Sequence, residues 1–207
     1  MTMRAMLLRQ PSQISSNASP LEITEVEIPA AGNRELLVRV SVCGVCRTDL
    51  DVVEGRLAAP RYPVIPGHQV IGSVAEVGRG VTEFREGDRV GIAWINSADG
   101  VCRWCRGGAE NLCPQFRSTG RDVDGGYADY VLVPAAFAHA IPSALTDTEA
   151  APLLCAGAIG WRSLRLAGLS DGERLGLTGF GASAHLVLQL ARRRYPASPI
   201  YVFARNP

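Results

Sequence analysis

Over roughly the first 150 residues the sequence is a succession of short extended segments punctuated by glycine and proline: RAMLLRQ, LEITEVEI, ELLVRVSVCGV, QVIGSVAEVG, DRVGIAW and YADYVLVP. Their β-branched content, and the turn residues between them, predict a mostly-β, barrel-like domain whose loops are available for function. The period then changes. In SALTDTEAAPLLCAGAIGWRSLRLAGL the apolar residues recur at helical spacing, with Thr146 and Glu149 offering a capping box. The last stretch, RLGLTGFGASAHLVLQLARRRYPASPIYVFARNP, reads as strand, glycine turn, helix and second strand. A chain of 207 residues accommodates one full domain and part of another.

Charge narrows the partners. A formal net charge of +1, with both signs mixed along the chain, offers no basic field for nucleic acid or an anionic membrane surface, so small-molecule chemistry is expected. All 21 basic residues are Arg, which excludes Schiff-base catalysis by lysine. No stretch approaches the roughly 18 consecutive apolar residues of a membrane span, and the N-terminal AMLL is too short for a signal-peptide core. The expectation is a cytoplasmic protein, in which the six cysteines act as metal ligands or buried thiols rather than in disulfides.

Three of those cysteines, Cys102, Cys105 and Cys113, stand at the metal-ligand spacing C-x2-C-x7-C. A tetrahedral zinc site needs a fourth ligand. The surrounding segment, Ser97 to Arg121, reads as a long structureless loop of the kind usually kept for function. Cys46, His68 and Cys155 are dispersed candidates: two thiolates and an imidazole leave one tetrahedral position open for water or substrate, though dispersed spacing alone does not establish a site. Cys43 reads as a buried strand residue, and His139 and His185 as structural. GFGASA follows a predicted strand and opens a helix: Gly179 permits the turn, Gly181 lets backbone approach a pyrophosphate, and Ala184 allows close packing. No acidic residue follows Glu173, whereas Arg205 and Asn206 follow the second strand, which favours the 2′-phosphate of NADP over NAD.

The runs CGVCRTDL, PVIPGHQVIGSVAEVG, GDRVG, CRWCRGGAENLC, GGYADYVLVP, AAPLLCAG and GFGASAHL, in this order and across nearly the whole chain, resemble the zinc-containing medium-chain dehydrogenase/reductase family in its alcohol dehydrogenase branch. The resemblance implies an α+β and α/β architecture: a GroES-like, mostly-β catalytic domain over residues 1–155, then over 156–207 the first β-α-β of a Rossmann NAD(P)-binding domain that is truncated at its C-terminus. It implies a catalytic zinc on Cys46, His68 and Cys155, with Thr48 taking the alcohol proton and Asp49 orienting His68. It also implies a structural zinc lobe whose first ligand, three residues before Cys102, is here Asp99. A carboxylate oxygen is a legitimate zinc ligand, and weaker metal retention, with easier loss at low pH or to a chelator, is expected of it. About two zinc ions per chain follow if both sites close. The cofactor set is Gly179, Gly181, Ala182 and Arg205. Two departures stand out: Gln69 replaces the usual Glu after His68, and Asp51 stands where the family often has His. The implied activity is reversible hydride transfer between a primary or secondary alcohol and NAD(P), with the aldehyde or ketone as the other partner, impaired by the truncation. A non-enzymatic zinc-binding scaffold is the alternative, and the family leaves room for a homo-oligomer.

Overall fold

The first two strands form a hairpin. β1 (Thr2–Leu7) and β2 (Glu22–Glu27) pair antiparallel, Thr2 opposite Glu27 and Leu7 opposite Glu22, and alternation along β1 buries Met3, Ala5 and Leu7. β3 (Glu35–Gly44) runs into α1 (Arg47–Val53), and β4 (Gln69–Val77) returns beside β3. β5 (Arg89–Ile92) follows, and then an excursion bounded by β6 (Ile95–Ser97) and β7 (Arg117–Ser118) that contains α2 (Arg103–Arg106). β8 (Tyr130–Pro134), β9 (Ala138–Ala140) and α3 (Asp147–Ala150) complete this part. The central sheet has the order β8-β3-β4-β5-β9 and is antiparallel throughout. Register shifts between Leu37 and Val38 and between Val40 and Val42 bend β3 against β4 and curl the sheet into a half-barrel. Its inner face is a valine-rich core built from Leu36, Val38, Val70, Val90, Ile92 and Val133, all fully buried. Each such side chain contributes about 1.5–3 kcal/mol relative to exposure.

This computed structural model describes residues 1–205 and separates into two compact units, Met1–Ala151 and the chain from Pro152 onward. Asn206, grouped above with Arg205, lies outside the described residues. In the second unit α4 (Ala156–Ala167) ends at Gly168, whose φ of 64° closes the helix in the left-handed conformation. β10 (Leu175–Thr178), α5 (Ala182–Arg194) and β11 (Ile200–Phe203) follow, with β10 and β11 parallel from Leu175 opposite Ile200 to Thr178 opposite Phe203. Leu164, Leu177, Val187 and Ala191 form the small core, and Gly160 lets α4 meet α5 where a Cβ would lie 2.6 Å from Val187 Cγ2.

Two expectations need correcting. The span Ser97 to Arg121 is not structureless: it holds the β6/β7 pair, α2 and a 3-10 turn at Glu110–Leu112. Elements of two to four residues are too short for hydrophobic periodicity to reveal them. The helical run expected after Ser143 is also broken. α3 passes into a single 3-10 turn, Ala151–Leu154, before α4 begins, because Pro152 has no N–H to continue an α-helical ladder. Among the described residues no helix is long and apolar enough to cross a membrane.

Candidate metal and cofactor sites

At the start of α1, Cys46 occupies the N-cap and its sulfur accepts the Thr48 N–H at 3.3 Å. Asp49, three residues on, closes a capping box by accepting the Cys46 N–H on Oδ2 at 2.8 Å. That bond turns the buried Asp49 carboxylate inward, where Oδ1 lies 3.0 Å from Nδ1 of the equally buried His68. A carboxylate only accepts, so Nδ1 carries a proton, and Nε2, the nitrogen left to a metal ion, lies 3.4 Å from the Cys46 sulfur. Burial pushes the His68 imidazole down, but hydrogen bonds to Asp49 and then Cys46 outweigh it and raise the group to about 9. Trp94 meets the imidazole edge-on, with ring centroids 5.0 Å apart. The donors fit zinc, since ligands at about 2.3 Å (S) and 2.0–2.1 Å (N) on a tetrahedral ion stand roughly 3.5 Å apart.

Residues distant in sequence hold His68 in place. It follows Gly67, whose φ of 97° favours glycine. The preceding carbonyls are clamped: Gly125 N–H donates to Ile65 O at 2.7 Å, Tyr127 N–H to Pro66 O at 3.0 Å and Gly126 N–H to Gly67 O at 2.9 Å. Asp124 adds a bond from the Ile65 N–H at 3.0 Å. A Cβ on Gly125 would fall 2.1 Å from the Gly67 oxygen, so the two backbones touch directly. Sequence reasoning carried this segment as a strand and within the family-like run GGYADYVLVP, and gave no role to Tyr127 or Trp94. The GG preceding Tyr127 is the signal that could have marked a close backbone approach.

Of the remaining residues expected here, Thr48 is half-buried within α1, and Gln69 is buried at the head of β4 with its side-chain oxygen against Gly44. Asp51 accepts the Arg56 Nε–H at 2.7 Å. Cys43 is half-buried in β3, and burial, partly offset by the Gln69 backbone N–H, pushes its thiol up to about 12.

The β6/β7 excursion brings Asp99, Cys102, Cys105 and Cys113 together, their ligand atoms all within 4.8 Å of one another. Asp99 Oδ1 accepts the Cys102 and Val101 N–H groups, each at 2.9 Å, in a tight local turn. Those two bonds hold its carboxyl well below the usual carboxylate range. The Cys102 and Cys105 sulfurs are 3.6 Å apart, against roughly 3.8 Å for two thiolates on one tetrahedral zinc ion. The buried Cys113 sulfur accepts the Gln115 and Asp99 N–H groups at 3.3 and 3.4 Å. Partial burial, then the Cys102 thiol, push Cys105 up to about 12, so a metal binding there displaces its proton.

In the second unit Cys155 is half-buried at the N-cap of α4. At the far end of this unit Gly179, with φ of 83°, donates its N–H to Phe203 O at 2.7 Å, and Gly181 caps α5, so Ala182 is the first helical residue. An open cleft of about 930 Å³ at the C-terminal ends of β10 and β11 is lined by Gly179, Phe180, Phe203 and Arg205. No side chain would obstruct a ligand at Gly181, where an added Cβ meets nothing within 4 Å. A helix N-terminus beside the carboxyl ends of parallel strands is a favourable place for a pyrophosphate.

Comparison with known proteins agrees with this architecture. Residues 32–143 match the family described as the alcohol dehydrogenase GroES-like domain. The chain is 55% identical over 210 residues to a probable alcohol dehydrogenase, AdhA, of Mycobacterium tuberculosis, covering 99% of this chain and 60% of that protein. It is 44% identical over 173 residues to an alcohol dehydrogenase of Geobacillus stearothermophilus, covering 83% of this chain and 51% of the relative. A cobalt- and zinc-bound thermostable alcohol dehydrogenase from Pyrobaculum aerophilum superposes with a TM-score of 0.89 at 32% identity, over 100% of this chain and 60% of that one. The chain therefore spans roughly half to three-fifths of the relatives it matches.

Proposed function

Since the chain belongs to the alcohol dehydrogenase family through its GroES-like domain, we propose that it carries the metal-binding machinery of a zinc-dependent alcohol dehydrogenase acting on a small primary or secondary alcohol with NAD(P). The observation that carries this reading is the Asp49, His68, Cys46 line, with Nδ1 to Oδ1 at 3.0 Å and Nε2 to Sγ at 3.4 Å. Cys46 and His68 would hold the ion together with Cys155, and Asp99, Cys102, Cys105 and Cys113 would hold a second. Bound zinc supplies a Lewis acid to the alcohol oxygen, and the bound nicotinamide accepts hydride. The chain's own residues orient and move protons. Asp49 keeps the His68 proton on Nδ1, and Thr48, two residues beyond Cys46, offers the hydroxyl that takes the alcohol proton. Asp51 is engaged by Arg56 and is a poor carrier beyond it. Gly179, Gly181 and Ala182 would receive the pyrophosphate, and Arg205 at the cleft favours NADP. Cytoplasmic location and assembly into a homo-oligomer belong to the same reading.

The test is metal content by mass spectrometry together with NADPH titration of the intact chain. About two zinc ions per chain and saturable NADPH binding, with NADP-dependent oxidation of simple alcohols, are expected. Zinc with no cofactor binding in a folded sample would support a non-enzymatic zinc scaffold instead, and absence of zinc from the zinc-supplemented protein would reject both.

A further inference from the structure

The backbone that delivers His68 is crowded from one side. A Cβ on Gly67 would lie 2.6 Å from Cδ1 and 2.9 Å from Cε1 of Tyr127, and 2.9 Å from the Cys43 sulfur. The Tyr127 ring thus occupies the space beside the one residue whose backbone sets the direction of His68. Its own backbone is tied at both ends, since its N–H reaches Pro66 O at 3.0 Å and its carbonyl accepts the Met6 N–H at 2.8 Å. The Tyr127 hydroxyl is buried without a close hydrogen bond and faces the Asp49 carboxylate, and burial followed by that charge raises its pKa. The crowding at Gly67 and Cys43 comes from the ring.

We propose that Tyr127 is a positioning residue for the Cys46–His68 metal site: its ring, seated against Gly67 and Cys43, holds the Gly67 backbone so that Nε2 of His68 stays directed at the Cys46 sulfur. The inference rests on the zinc-binding role proposed above. A ligand kept in one orientation before the ion arrives binds it more tightly than one that must be ordered on binding, and partners outside the ligand set commonly change metal affinity by about 10–100-fold. The lobe at Asp99 to Cys113 supplies an internal reference, because none of its ligands belongs to the Gly67, Cys43 and Tyr127 contact.

Zinc affinities of the intact chain, read by competition with a chromogenic chelator and assigned to each site through His68→Ala and Cys105→Ser, test the proposal. Tyr127→Leu is expected to weaken zinc at the His68 site by about 10–100-fold while leaving the lobe unchanged, and Tyr127→Phe to retain wild-type affinity at both. Wild-type affinity in Tyr127→Leu would overturn it. So would parallel weakening of both sites or failure to fold, which would assign the ring to general stability, and so would a Tyr127→Phe loss equal to that of leucine. If His68→Ala does not lower the zinc content of the wild-type chain, the functional reading itself fails, a result distinct from any of these.

Discussion

Cys46 and His68 are 22 residues apart and come from a helix cap and the head of a central strand, whereas Asp99 and Cys113, the outer members of the lobe, are 14 apart within one excursion of the chain. The first pair is set by groups that reach it from elsewhere: Asp49 across the capping box, Trp94 on the imidazole, and the 125–127 backbone behind Gly67. The second cluster organises itself, through Asp99 receiving the N–H groups of Val101 and Cys102 and through Cys113 receiving those of Asp99 and Gln115. A dispersed site shares its supports with the sheet, so damage to it reaches the fold. A local site can lose its metal and leave the valine core intact.

The largest effect expected of that contrast is at Asp49. Asp49→Ala leaves the buried His68 Nδ1–H and the Cys46 N–H without their acceptor, and should cost about 3–5 kcal/mol in urea unfolding along with the zinc of that site. A loss within about 0.5 kcal/mol would show that the two sites are supported alike. A chelator challenge should produce an intermediate effect. The lobe, with a carboxylate oxygen in place of a fourth thiolate, is expected to release its zinc before the Cys46–His68 site, with little change in the main thermal transition, and Asp99→Cys should slow that release. Simultaneous release, or a release rate unmoved by Asp99→Cys, would remove the distinction.

The smallest effect concerns pH. The backbone N–H of Cys102, then that of Val101, depress the Asp99 carboxyl in the folded chain. The stability this contributes is complete above the unfolded value of about 3.9 and is lost as pH falls through the lower folded value. In chelator-treated protein, Asp99→Asn should therefore lower the melting temperature slightly and by a constant amount from about pH 5 upward, with the gap closing below about pH 4. A gap that widens on acidification would show that the carboxylate does not hold the turn.

Residue spacing and period alone determined the lobe's three sulfurs, the change from extended to helical pattern, the Thr146–Glu149 capping box, and the turn between β10 and α5. Each is a local feature, written within a few turns of chain. Asp99 could be reached by counting, but only with a family's pattern in mind. Tertiary structure alone decided that Asp49 faces Nδ1 of His68, that Trp94 flanks the ring, and that Gly125 touches Gly67 backbone to backbone. Those contacts join strands and loops 19 to 58 residues apart. No local propensity encodes which distant carbonyl a given N–H will find. That choice is made when the curled sheet closes on its core, where burial leaves polar groups no alternative but each other.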